Sequence, residues 1–177
     1  MKFLTISDTH TKHENIPLEW LEPADCIIHA GDTSSRGYLN EFRNFLEWYS
    51  KLDQYQYKIF IAGNHDFGFE ELPTDATRMV REYPNIIYLQ DSGVELEGIK
   101  IYGSPWQPRF FDWAFNLDRG PKCKEKSMGK KWKIKADKNE SCAAEHFINK
   151  CSCGQIISQC RCMGNKKEII ISNGCEK

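Results

Sequence analysis

The chain has 177 residues, 24 of them basic and 25 acidic for a formal net charge of -1, and 40% of its residues are hydrophobic. That balance argues against a polybasic protein that wraps nucleic acid or coats a membrane, and against a wholly disordered chain. No apolar run approaches the roughly 20 residues that span a bilayer, and the stretch from Met1 to Ile6 is too short for a secretion signal, so a soluble, cytoplasmic protein is expected.

The near-neutral total conceals two unlike parts. Residues 1–120 carry 11 basic and 19 acidic side chains, net -8, whereas residues 121–177 carry 13 and 6, net +7. Of the eight cysteines only Cys26 precedes position 121, and of the aromatic residues only Trp132 and Phe147 follow it. A joint shift in charge, aromatics and cysteine marks a change of module. Three segments are therefore expected: a core-forming domain over 1–120, a basic linker or weak helix over 121–140, and a cysteine-rich module over 141–177.

In chain order, Lys2 to Ile6 is an apolar run ending in Ser7-Asp8-Thr9-His10, which reads as a buried strand feeding a loop. Cys26 to Ala30 repeats the arrangement before Gly31-Asp32-Thr33, and Lys58 to Ala62 repeats it before Gly63-Asn64-His65-Asp66. Between the second and third runs, Tyr38, Phe42, Phe45, Tyr49 and Leu52 fall at helical spacing and predict one apolar helix face. A second helix is predicted over 74–83 with Pro84 stopping it, followed by short strands over 85–89, 94–96 and 99–102, the last two joined by a turn at Glu97-Gly98. Strands alternating with helices predict an α/β fold, a layered β-sheet with flanking helices, in which ligands gather at the carboxyl ends of the strands.

Those strand ends carry the chemistry. Asp8 and His10 are separated by one residue, so an extended segment would send both side chains to one side. With Asp32 and Asn64 from the next two strand ends, they make a mixed nitrogen and oxygen donor set suited to Mn, Fe, Zn or Mg rather than to a thiolate-selected metal. Asp32, with two oxygens, could bridge two ions. His65 at the rim could stabilise phosphoryl charge or protonate a leaving oxygen, with the adjacent Asp66 fixing its orientation. Each motif alone also suits a turn or a helix cap; the shared position after three apolar runs favours a common metal site.

Asp8-Thr9-His10, Gly31-Asp32 and Gly63-Asn64-His65-Asp66 resemble three signature motifs of the calcineurin-like metallophosphoesterases. The stretch Ile101-Tyr102-Gly103-Ser104-Pro105-Trp106-Gln107-Pro108, continued by Phe111 to Asn116, resembles the branch of small cyclic-nucleotide-type phosphodiesterases related to mammalian metallophosphoesterase-domain proteins. The resemblance covers about residues 1–120. It implies an αββα sandwich, metal ligation by Asp8, His10, Asp32 and Asn64, a charge-stabilising or acid role for His65, and hydrolysis of a phosphomonoester or phosphodiester by metal-activated water. A small-molecule phosphoester substrate is the implied partner.

The family pattern also has a later strand-end histidine and a Gly-His-x-His loop, and neither occurs in this sequence. His29 is expected to pack within its strand, and His13 to be solvated or to reach the site. With part of the ligand set missing, activity could be impaired. The fold is expected to lack its second sheet and hence to be partial, with a partner chain or a homo-oligomer covering the uncovered face.

In the tail, Cys151, Cys153, Cys160 and Cys162 lie within twelve positions, flanked by Cys142, His146 and Cys175. In a reducing compartment this density favours structural zinc, with disulfides or disorder as the alternatives. The segment around Cys153 to Cys162 resembles short cysteine-rich modules of phage-encoded proteins. Nucleic-acid binding by the basic tail is a weaker expectation, because its lysines lack interleaved aromatics. The alternative to an enzyme is a catalytically inactive interaction protein acting through this tail.

Overall fold

The computed structural model describes residues 1–128, 147–149, 158–161 and 168–172. Five elements build the first half: β1 (Lys2–Ile6), β2 (Cys26–His29), α1 (Leu39–Ser50), β3 (Tyr57–Phe60) and α2 (Phe67–Glu71). They are followed by α3 (Pro73–Arg81), β4 (Ile87–Tyr88), β5 (Ser92–Leu96), β6 (Ile99–Ser104), β7 (Gln107–Pro108), β8 (Asn116–Leu117) and α4 (Pro121–Met128). Three further strands come from beyond residue 140: β9 (Phe147–Asn149), β10 (Ser158–Arg161) and β11 (Glu168–Ser172).

The first sheet has the order β10-β1-β2-β3-β4, and β1 to β4 run parallel with Ile6, His29 and Phe60 in register at one end. Alternation along these strands builds two apolar faces. Leu4, Ile6, Ile27 and Phe60 join Phe42, Phe45, Leu46 and Tyr49 of α1, Phe69 of α2, and Ala76, Met79 and Val80 of α3 in one buried cluster. Phe3, Cys26, Ile28, Ile59 and Ile61 point to the opposite side and meet Ile101, Ile169 and Ile171 of a second sheet. Helices, sheet and sheet are thus stacked in that order.

The expected helix of the first crossover forms, with Phe42, Phe45 and Tyr49 buried, although Tyr38 lies before its first turn and is 58% exposed. Glu41 starts this helix by accepting the Tyr38 amide at 3.0 Å. The second expected helix is α3, starting one residue earlier and ending two residues earlier than predicted, with Pro73 supplying the fixed φ that suits a first turn. Between β5 and β6 the chain turns through Glu97 and Gly98, both with positive φ (49° and 77°), the conformation a two-residue hairpin requires.

The expectation of a missing second sheet does not hold. A four-stranded sheet of order β5-β6-β11-β9 is present, and β11 pairs in parallel with β6 from Glu168↔Lys100 to Ser172↔Ser104. The physical reason is the run Ile169-Ile170-Ile171: all three are buried, and Ile169 and Ile171 fill the space between the sheets. β10 pairs antiparallel with β1, Cys160 opposite Phe3. Residues from the tail therefore supply one strand to the first sheet and two to the second. α4, within the segment read as a basic linker, packs near β6, β7 and β11.

Candidate functional site

The loops after β1, β2 and β3 lie together at one end of the first sheet. Main-chain bonds continue past the strands and tie the first two loops: the amides of Asp8, His10 and Thr11 donate to the carbonyls of Gly31, Asp32 and Thr33 at 3.0 to 3.1 Å. Asp8, His10, Thr11 and Asp32 all hold positive φ (58°, 42°, 66° and 57°). That conformation is uncommon for residues with a Cβ and is tolerated best by Asp, Asn and His. Asp8 and His10 therefore converge through a left-handed turn, not through the extended segment expected from their spacing.

His10 Nε2 lies 3.8 Å from an oxygen of Asp8 and 3.7 Å from an oxygen of Asp32. Its other ring nitrogen, Nδ1, is 3.1 Å from the Ser34 carbonyl. Because a carbonyl only accepts, the proton of the neutral ring belongs on Nδ1, which leaves the lone pair of Nε2 facing the two carboxylates. His65 repeats the device, with Nδ1 at 2.9 Å from the Ser35 carbonyl. The two imidazoles meet edge to face with centroids 4.5 Å apart. His10, Asp32 and His65 each offer a ligand atom, all within 4.8 Å of one another.

This donor set fits a divalent cation. Two imidazoles and a buried carboxylate bring their ligand atoms together, and each imidazole has Nδ1 against a main-chain carbonyl, a second contact of the kind that orients metal-binding histidines. Asp32 is 1% exposed and accepts the His65 amide at 3.0 Å. Gly63 allows the approach, since a Cβ there would overlap Asp32 Oδ1 and the Asp32 nitrogen. Asn64 stands between Gly63 and His65, and its carbonyl accepts the amide of Ala114 at 3.0 Å.

Asp66 points elsewhere. Its carboxylate is fully buried and accepts from the Gly63 amide at 2.7 Å, the Thr33 amide and hydroxyl at 3.3 and 3.0 Å, and the Ser34 amide and hydroxyl at 2.9 and 2.6 Å. It ties the second loop to the third, and the carbonyl of Ser35, not Asp66, orients the His65 ring. Burial raises the pKa of Asp66 first, with the charge of Asp32 adding to it, and the bonds from Ser34 and Gly63 oppose both.

His29 is buried within β2 as expected, with Nε2 at 3.0 Å from the Thr9 hydroxyl and its ring against Phe45. His13 is neither solvated nor at the site. It is 1% exposed beneath α1, edge-on to Phe45 and 5.0 Å from the Trp48 ring. Trp113, outside the three motif loops, has its ring centroid 4.1 Å from that of His65. Cys151, Cys153 and Cys162 fall outside the described residues, as do Cys142, His146 and Cys175; Cys160 belongs to β10.

The family model for calcineurin-like phosphoesterase matches residues 1–147. The chain belongs to the calcineurin-like phosphoesterase family. Curated relatives include metallophosphoesterase domain-containing protein 1 of Homo sapiens and of Mus musculus, each 39% identical, with the match covering 71% of this chain and 43% of the relative. A UPF0046 protein of Caenorhabditis elegans is 34% identical over 71% of this chain and 38% of its own. This calcineurin-like chain thus spans less than half the length of these curated relatives. One solved crystal structure shares the fold at a TM-score of 0.53 and 14% identity, covering 66% of this chain and 58% of that one. Among the described residues no helix is long and apolar enough to cross a membrane.

Proposed function

We propose that the chain is a metal-dependent phosphoesterase, hydrolysing the ester bond of a small phosphomonoester or phosphodiester. The observation that carries this reading is the orientation of His10 and His65: both have Nδ1 against a carbonyl, and the His10 Nε2 faces Asp8 and Asp32 at 3.8 and 3.7 Å. Family membership supports the same reaction class.

His10, Asp32 and Asp8 would hold the ion, with the Asn64 amide oxygen as a further donor, and Mn, Fe, Zn and Mg all accept such ligands. When bound, a divalent cation supplies an activated water and neutralises charge on the phosphoryl oxygens. The protein's own part is to hold these donors on three loops locked by main-chain bonds and by Asp66, so that little rearrangement is needed on binding. His65 lies beside His10 and contributes Nε2 either as a further ligand or as the group that meets phosphoryl charge. Asp66 acts through the loops it ties together and is assigned a positioning role.

The test is hydrolysis of p-nitrophenyl phosphate and bis-p-nitrophenyl phosphate with added Mn2+, comparing the unaltered protein with Asp32→Ala and His10→Ala. Metal-dependent turnover that falls at least 10–100-fold in both variants is expected, the range seen when even an outer-shell partner of a metal ligand is altered. Absence of turnover in the unaltered protein, or turnover indifferent to Asp32, would sink the assignment.

A further inference from the structure

Trp113 lies on the loop between β7 and β8, outside the three motif loops, and the structure brings it onto the face of the site histidine. Its indole is tilted by 37° over the His65 ring at a centroid distance of 4.1 Å, while the His10 ring stands T-shaped to it at 4.5 Å and the Ser35 carbonyl fixes Nδ1 at 2.9 Å. His65 is half-buried, so a ring lacking these neighbours has room to rotate about its side-chain bonds.

The loop bearing Trp113 is fastened next to the third motif. The amide of Ala114 donates to the Asn64 carbonyl at 3.0 Å, and that of Phe115 to a Glu70 carboxylate oxygen at 3.0 Å. Gln107 in β7 donates from Nε2 to the Ala114 carbonyl at 3.2 Å, and the Phe115 side chain is fully buried. The two residues that follow the indole are therefore anchored to the segment that carries Asn64, His65 and α2. An indole docked in this way sets the plane of an imidazole by dispersion and ring-edge electrostatics.

We propose that Trp113 is a positioning residue for His65, holding the imidazole beside His10 in the orientation that keeps Nδ1–H on the Ser35 carbonyl. The proposal rests on the reading of His10, Asp32 and His65 as the working centre, and it concerns a residue outside the three motifs.

The test uses the full chain with 15N-labelled histidine, free of metal, at pH 8, above the ordinary imidazole range. The His65 signal, assigned by its loss in His65→Gln, is expected to report the Nδ1–H tautomer in the unaltered protein and in Trp113→Phe. In Trp113→Leu and Trp113→Ala it is expected to move toward the mixed tautomers of a free imidazole. Circular dichroism melting confirms that each variant is folded, and Leu preserves apolar volume should Ala not fold. A wild-type His65 signal in folded Trp113→Leu overturns the proposal, as does a mixed tautomer in the unaltered protein. Mn2+ affinity, measured separately by calorimetry, is expected to fall about tenfold in Trp113→Leu and to be largely kept in Trp113→Phe. Failure of the unaltered protein to bind Mn2+ would count against the phosphoesterase reading, while the tautomer signal decides the role of Trp113 independently.

Discussion

The carboxylate of Asp66 and the hydroxyl of Ser34 meet at 2.6 Å in the interior, joining the loop after β3 to the loop after β2. With the Gly63, Thr33 and remaining Ser34 contacts, five protein donors converge on two oxygens. An amide in the same place keeps one acceptor oxygen and turns the other site into a donor facing donors. Asp66→Asn is therefore expected to destabilise the fold by roughly 1–3 kcal/mol for each donor left unsatisfied. It is also expected to weaken metal binding without removing a ligand. Denaturant unfolding together with Mn2+ calorimetry checks both; unchanged stability would show that the loops do not depend on this carboxylate.

Gly63 gives a second test of the same architecture. A Cβ at this position would overlap both the side chain and the backbone nitrogen of Asp32, a residue only 1% exposed. Gly63→Ala is expected to cost about 1–3 kcal/mol, the usual range for overpacking a tight interior. Because the displaced group is Asp32 itself, metal affinity should fall more than stability alone explains. Parallel unfolding and metal titrations distinguish this from a general loss of fold, since an affinity that merely tracks the folded fraction would refute it.

The strand from the tail is open to the same kind of measurement. Ile171 is fully buried between the two sheets, paired with Gly103 across the parallel ladder. Truncation to Ala removes a buried branched side chain from a packed interior, for which about 2–5 kcal/mol is expected. Urea unfolding should show this loss in the same transition that reports the first sheet. A variant as stable as the parent would mean that β11 contributes nothing to the core between the sheets.

Much of the site was legible in the sequence because each motif follows an apolar run, and parallel pairing places such run ends side by side. Asp8, His10, Asp32 and His65 could thus be grouped without coordinates. Asp66 could not be placed correctly, since adjacency to His65 suggests a contact that the turn into α2 directs inward instead. The carbonyls of Ser34 and Ser35 left no trace in the sequence, because a main-chain acceptor is common to every residue type. Trp113 belongs to a distant loop whose approach is set by backbone bonds of Ala114 and Phe115. The second sheet was a different matter: Ile169-Ile170-Ile171 is a readable apolar run, overshadowed by the cysteines around it.

His13 makes stability depend on pH near neutrality. Its imidazole is 1% exposed, packed against Phe45 and Trp48, and neither ring nitrogen has a hydrogen-bond partner among the described residues. Burial lowers its pKa below the ordinary value of 6.5, only partly offset by the nearby charge of Glu14 and by the Asn44 main chain. The unfolded chain therefore takes up a proton at a higher pH than the folded chain does. Above the unfolded pKa both states are neutral here and the full stability is present; as pH falls through it, the unfolded state binds protons first and stability declines until the folded pKa is reached. The melting temperature of the unaltered protein is expected to fall between pH 7.5 and 5.5. In His13→Phe, which keeps a ring in the same apolar site without a titrating nitrogen, the decline should be smaller. Paired thermal melts across that interval measure the difference, and parallel pH profiles for the two proteins would rule out His13 as the source.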